Sequence, residues 1–291
     1  SGNALAIPMN LWTPDRALEL DPPALATTVP DATPHLVVFA HGLCLSELSW
    51  NRNGGPDTGS RLQQELGYTP LYLRYNTGRH ISTNGQELSR LLEELCRTWP
   101  VPVESLSLVG HSMGGLVIRC SCRYAQQEQH AWLEKLQRVV CLGTPHHGSP
   151  VEKAGHAFDV AIRKIPYLAP FAIGRGRSAG IKDLRHGNLL HEDWQGRDPD
   201  QPARDGRSTV PLLDGVEYFF AAATLGTQKN DPLCHSLGDL LVRLDSAAGH
   251  HHDDLRKLHI KPENCQVFYG RNHFDLLDDE RVQQQILEWF R

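Results

Sequence analysis

Leu106-Ser107-Leu108-Val109-Gly110-His111-Ser112-Met113-Gly114-Gly115 is the stretch on which the reading of this chain turns. Leu106 to Val109 is a strand-like run, and a helix-like run follows from Leu116 to Tyr124. Between them stands a serine with glycine two residues before it and two residues after it. A serine forced into a tight, strained strand-to-helix turn leaves no room for side chains at those two places, which accounts for both glycines. Such a turn lifts the Ser112 hydroxyl above the sheet, at a helix N-terminus. Backbone N–H groups and the helix dipole there favour a developing negative charge. A glycine-rich β-to-α turn with an ordinary serine carries the same five letters, so the neighbours must decide between the two.

Working outward, strands and helices alternate. Leu36 to Ala40 reads as a buried strand ending in His41-Gly42-Leu43, Thr58 to Leu66 as a short helix, and Leu71 to Tyr75 as a strand. Ser82 to Trp99 is the clearest helix, with Leu88, Leu91, Leu92, Leu95 and Trp99 on one stripe and Pro100 and Pro102 stopping it. Val139 to Leu142 is a strand that closes in Gly143-Thr144-Pro145-His146-His147-Gly148. Later come strands at Val216 to Thr224 and Gln266 to Tyr269, and a helix from Asp278 to Phe290 that turns Val282, Ile286, Trp289 and Phe290 inward. Residues 4 to 12 read as an edge strand limited by Pro8, and Asp21 to Pro34 as a connector. This order predicts an α/β fold, a mostly parallel central sheet with helices on both faces. The rhythm breaks over residues 150–212, rich in Pro, Gly and Arg and without clear periodicity.

The chain has 291 residues, 40% of them hydrophobic, enough for a large core. A formal net charge of −5 supplies no basic field, so nucleic acid is not expected as a partner. No apolar run reaches the length of a membrane span, so stable membrane insertion is not expected. The seven cysteines are odd in number and scattered. Cys96 and Cys141 sit in apolar patterns as buried thiols, and Cys120 and Cys122, two apart on a helix, point in different directions. A reducing cytoplasm is the expected compartment, with one or two disulfides left open. His250-His251-His252 beside Asp253 and Asp254 reads as a solvated loop, because consecutive residues do not all face one ion without a special backbone. No metal or organic cofactor is expected.

The 110–114 turn resembles the nucleophile elbow of the α/β-hydrolases. With it, segments 36–43, 105–118, 139–149, 238–247 and 268–275 resemble, in the same order, bacterial triacylglycerol lipases and PGAP1-like esterases, enzymes related to the GPI inositol deacylase. The resemblance implies an α/β-hydrolase core over residues 1–149 and 213–291, with 150–212 inserted where such enzymes carry a lid or cap. It also implies a triad in the chain order Ser, acid, His. His273 lies directly after the last predicted strand and before the last helix, the place of the base; His250, His251, His252 and His259 precede that strand. Gly238-Asp239-Leu240-Leu241-Val242 resembles the Gly-Asp-Gly-Leu-Val segment that carries the acid, which assigns Asp239. Leu240 departs from the usual glycine, and Asp245 is the main rival, ahead of Asp214 and Asp231. His41-Gly42-Leu43 resembles the His-Gly segment whose next residue donates an oxyanion amide, which assigns Leu43 beside Met113. The 142–149 segment resembles the loop after strand six of the same enzymes and implies His146 packing beneath the elbow. Asp275 stands two residues after His273, like a calcium-binding Asp of some bacterial lipases, but one carboxylate makes no calcium site. A salt bridge or a cap near the final helix is the expected role.

The expected chemistry is serine ester hydrolysis through an acyl-enzyme, acting on a small-molecule or lipid-like ester. A thioesterase, a polyester depolymerase or an acyltransferase would use the same triad, and a lactonase is also open. A non-catalytic hydrolase-like binding protein would lack a triad position or glycine, and here every one can be filled. A haloalkane dehalogenase or epoxide hydrolase would need a carboxylate at 112. Tyr167 to Ile173 is apolar and favours a hydrophobic acyl or alcohol group if it lines the pocket. Acyl length and oligomeric state are not legible.

Overall fold

In the computed structural model, residues 7–51, 54–147, 178–196, 207–228, 242, 244–247, 249 and 257–291 are described. Their elements are β1 (Asn10–Trp12), α1 (Pro22–Thr28), β2 (His35–Ala40), α2 (Thr58–Leu66), β3 (Thr69–Arg74), α3 (Ile81–Thr98), β4 (Ser105–His111) and α4 (Met113–Glu128). Then follow β5 (Leu136–Leu142), α5 (Ala179–His186), α6 (His191–Trp194), β6 (Glu217–Thr224), α7 (Leu244–Ala247), β7 (Cys265–Tyr269) and α8 (Glu280–Phe290). Single 3-10 turns occupy Glu47–Trp50 and His273–Leu277.

The strands form one sheet in the order β1-β3-β2-β4-β5-β6-β7. All neighbours run parallel except β1, which is antiparallel to β3 at the edge. Strand alternation divides the core in two. Leu36, Val38 and Ala40 of β2 face one side with Leu88, Leu92 and Leu95 of α3 and Leu116 and Val117 of α4. Val37 and Phe39 face the other side with Leu62 of α2 and Val282, Ile286 and Phe290 of α8. Both faces are therefore covered, which is why β2 and the second half of β5 read as continuous apolar runs rather than as alternating ones. The helices α3 and α4 cross closely: a Cβ added at Gly85 would stand 2.5 Å from Cys120 Sγ.

The architecture is the α/β arrangement that the sequence predicts, with three local corrections. The 21–34 connector contains α1, a short helix opened by the Asp21 carboxylate on the Ala24 N–H, with prolines in its first turn and Leu25 buried beneath it. The expected edge strand over 4–12 is a strand only at Asn10–Trp12 among the described residues. The 150–212 segment is not irregular throughout. Ser178 caps α5 at the Ile181 N–H, and Gly187 ends it in the left-handed conformation at φ 69°. This piece is tied to the N-terminus of α3. Asp183 accepts from the Ile81 N–H at 2.9 Å and lies 3.0 Å from His80 Nδ1, while Trp194 stacks on the His80 ring at 3.7 Å.

The six described cysteines are free thiols. Burial pushes Cys122 and Cys141 up to about 12, so both stay protonated and inert. No helix among the described residues is long and apolar enough to cross a membrane.

Candidate active site

Ser112 sits between β4 and α4 with φ 54° and ψ −120°, a backbone region that a non-glycine residue occupies only under constraint. Neighbouring strand ends supply that constraint. The Ser112 N–H donates to the Leu142 carbonyl at the end of β5, and the Gly143 N–H donates to Ala221 of β6, both at 2.8 Å. A Cβ at Gly110 would lie 2.5 Å from Gly115 N, and one at Gly114 would lie 2.2 Å from the Ala40 carbonyl. Both elbow glycines are thus required by backbone approach. Ser112 remains partly exposed.

The base candidate lies against this turn. Asn272 and Asp275 cap each other reciprocally: the Asn272 side chain accepts from the Phe274 and Asp275 N–H groups, and the Asp275 carboxylate accepts from the Asn272 N–H at 2.8 Å. Asp275 is therefore a cap on the turn that carries His273. The final helix has its own cap, Asp279, which also pairs with Arg271. His273 is buried, its carbonyl lies 3.0 Å from His111 Nε2, and its ring centroid is 4.7 Å from that of His111. His111 precedes the nucleophile candidate, so the loop after β7 is fastened to the elbow directly. On another side, a Cβ added at Gly143 would stand 2.9 Å from His273 Cε1.

The loop after β2 closes the third side. A Cβ at Gly42 would lie 3.1 Å from Ser112 Cβ and 2.9 Å from His111 Nδ1. Leu43 follows at once, and Met113 opens α4, where its amide is one of the helix's unsatisfied N–H groups. Cys44 adopts φ 58° and donates its N–H to the Thr77 hydroxyl at 3.2 Å. His41 is buried, with Nδ1 2.9 Å from the Gly42 carbonyl and its ring stacked on Tyr75 at 4.4 Å. Burial pushes its pKa down to about 4, so the ring is neutral at pH 7. The Tyr75 hydroxyl donates to the His41 carbonyl at 2.7 Å, and a pair between buried Glu47 and half-buried Arg74 anchors the turn that follows. These supports join residues remote in sequence and carry no local signal, so sequence reading missed them.

Ser112, Leu43, Met113 and His273 thus all lie at one end of the sheet, just beyond the C-terminal ends of the parallel strands β2, β4 and β7. Asp239 lies outside the described residues, as do Asp231 and His250 to His252. Asp245 falls in α7, whose Ser246 hydroxyl accepts from the His147 N–H at 3.2 Å; the Asp245 side chain is outside the description. Asp214 and His259 line a cavity of about 350 Å³ together with Glu217, the first residue of β6. Because β6 runs parallel to β5 and β5 to β4, that cavity is at the opposite end of the sheet from Ser112. Neither residue belongs to this site. His146 is buried beside α4, stacked on Phe220 at 4.2 Å and 3.2 Å from Arg119 Nη1.

The described part of the insertion reaches the site at one point. A Cβ at Gly180 of α5 would lie 2.7 Å from Met113 Cε and 2.2 Å from the Thr77 carbonyl.

Comparison with known proteins gives the same architecture. The mature form of Bacillus licheniformis lipase BlEst2 superposes with a TM-score of 0.53 at 18% identity, over 88% of this chain and 91% of that one. Its propeptide form gives 0.51 at 17% identity, over 96% of this chain and 52% of that one. Aspergillus fumigatus lipase B gives 0.51 at 9% identity, over 94% of this chain and 54% of that one. The chain thus spans about half the length of two of these three structures. No curated protein sequence matches it. The family model described as the PGAP1-like alpha/beta domain matches residues 32–164. The chain has the α/β-hydrolase fold of the lipases and esterases, and over residues 32–164 it matches the PGAP1-like alpha/beta domain.

Proposed function

We propose that this chain is a serine hydrolase that cleaves carboxylic esters through Ser112, His273 and Asp239. The observation that carries the reading is the strained backbone of Ser112, held at φ 54° and ψ −120° with the His273 loop bonded to the residue before it. A serine hydroxyl is a weak nucleophile at neutral pH and needs an adjacent base. His273 takes the Ser112 proton as Oγ attacks the ester carbonyl. The Leu43 and Met113 amides receive the oxyanion. His273 then protonates the leaving alcohol, and afterwards activates the water that releases the acid. Asp239 orients the imidazole and stabilises its charged form.

Residues 150–212 act in this reading as a cap that selects the substrate. The contact of Gly180 with Met113 and Thr77 supports that role, because it puts the segment beside the oxyanion donors. A lipid-like or small-molecule ester is the proposed substrate class.

The test is p-nitrophenyl ester turnover by the wild type and Ser112→Ala. We expect a loss of about 10⁴-fold or more, together with fluorophosphonate labelling of Ser112 in the wild type alone. Equal rates in the two proteins would sink the assignment. Parallel oxyester and thioester series separate the esterase from the thioesterase reading.

A further inference from the structure

Arg119 lies on α4, seven residues beyond Ser112, and is only 4% exposed. Among the described residues no carboxylate pairs with it. The acidic groups that act on its charge are the thiols of Cys141, Cys122 and Cys120 and the Tyr218 phenol, all held protonated by burial. A buried guanidinium without a counter-charge is costly, so its donors must be accounted for one by one. Nη2 donates to the Val210 carbonyl at 2.5 Å, and Nη1 lies 3.2 Å from His146 Nδ1. A guanidinium only donates, so His146 Nδ1 accepts. The imidazole is then the neutral tautomer with its hydrogen on Nε2. That Nε2 and Arg119 Nε are both buried, and neither has a hydrogen-bond partner.

Both side chains line the same cavity, of about 30 Å³, whose wall also carries His147, Arg207, Leu189 and Val210. Arg207 donates Nη1 to the His147 carbonyl at 3.2 Å. The cavity is larger than the ~10–15 Å³ that a single water needs. A water would satisfy donors but would leave the guanidinium charge uncompensated.

We propose that this cavity binds a small inorganic monoanion of halide size, held by the N–H of His146 Nε2 and offsetting the buried Arg119 charge. The cavity wall joins three segments: helix α4, the loop from Gly143 to His147, and residues 207–210 at the end of the insertion. Gly143 at the head of that loop touches the His273 ring, so occupancy stiffens one wall of the base. The site does not depend on the esterase reading.

The test is thermal unfolding in sodium chloride against sodium gluconate at fixed ionic strength, for the wild type and His146→Phe. The phenyl ring keeps the stacking on Phe220 and removes the donor. In the wild type, Tm rises with the logarithm of chloride concentration above Kd, by about 5–10 °C at a hundredfold excess. In His146→Phe that chloride-specific rise is lost. Superimposed chloride and gluconate curves in the wild type, or an unchanged chloride-specific rise in the variant, overturn the proposal. Should the variant not fold, bromide-soaked wild-type crystals decide. An anomalous peak within about 3.5 Å of His146 Nε2 supports the site, and its absence refutes it.

Discussion

Replacing Gly143 by alanine separates catalytic geometry from stability. Gly143 has φ +59°, and its added Cβ would meet His273 Cε1 at 2.9 Å, His273 Nδ1 at 3.0 Å and Leu276 Cδ1 at 2.9 Å. Carbon pairs prefer about 3.5–4.0 Å, so the imidazole must retreat by roughly 0.5–1 Å. His273 is buried and flanked by the His111 and Phe274 rings, so the displacement is not absorbed by solvent. A base misplaced by about 1 Å costs up to ~10²-fold; we expect kcat to fall about 10–100-fold with KM little changed. The left-handed backbone adds a separate penalty of about 1–2 kcal/mol for any β-carbon, or a Tm lowered by roughly 2–8 °C. Gly215→Ala is the control, since Gly215 has φ +78° and nothing within 4 Å of its added Cβ. It carries the strain without the contact. Melting curves and p-nitrophenyl ester kinetics on both variants give the answer. Similar losses of Tm with activity lost only at 143 support the placement of His273. Equal kcat values in the two variants refute it.

Other perturbations test other parts of the frame. Gly85→Ala would drive a methyl to within 2.5 Å of Cys120 Sγ and 2.6 Å of its Cβ, so α3 and α4 must part. Overpacking of this kind costs about 1–3 kcal/mol, readable as a lower urea midpoint. His41, lowered to about 4 from 6.5 by burial, binds a proton in the unfolded chain before it does so in the folded one. Its contribution is therefore present above pH 6.5 and lost as pH falls toward 4, about 3 kcal/mol in all. His146 is shifted in the same direction, by burial first and then by Arg119. His41→Gln should flatten only part of that acid limb in urea unfolding measured from pH 7.5 to pH 4.5; an unchanged limb would show that His41 is not buried neutral.

Much of this fold is legible because its strands are covered on both faces. The runs at 36–40 and 139–142 have no polar residue to obscure them, and the run at 106–109 has only Ser107; they emerge as β2, β5 and β4 with small changes of boundary. The helix read at Ser82 to Trp99 is α3 at Ile81–Thr98, since Leu88, Leu92 and Leu95 must share one buried face. Short helices escaped. In α1 the Asp21 cap and the prolines that follow are a start signal, but only Leu25 is buried, so no apolar stripe announces the helix. In α5 the Ser178 cap and the Gly187 stop were legible one by one, yet they were hidden within a Pro-, Gly- and Arg-rich segment. The site divides in the same way. Ser112, His273 and Leu43 stand at strand ends, so their order along the chain predicts their convergence. The supports of the Leu43 loop, Thr77, Tyr75 and Arg74, come from β3 and the turn after it, and only tertiary folding joins them.

The position of the elbow explains why its pattern is so confined. Gly114 is pressed on the Ala40 carbonyl of β2, and Gly115 on Thr144 of the loop after β5. The same turn therefore fixes the loop that carries Leu43 on one side and the Gly143–Thr144 loop on the other. A substituent on Gly114 displaces the first and one on Gly115 the second, not only the serine. Residues 178–196 meet the elbow differently, through Gly180 against the Met113 side chain and through Asp183 and Trp194 at the start of α3. None of these contacts involves the hydrogen bond that holds Ser112 to Leu142. Under the proposed function, changes in residues 178–196 then alter access to the serine at constant backbone geometry, and the two parts of the chain are joined at Met113, which opens α4 and whose side chain meets Gly180.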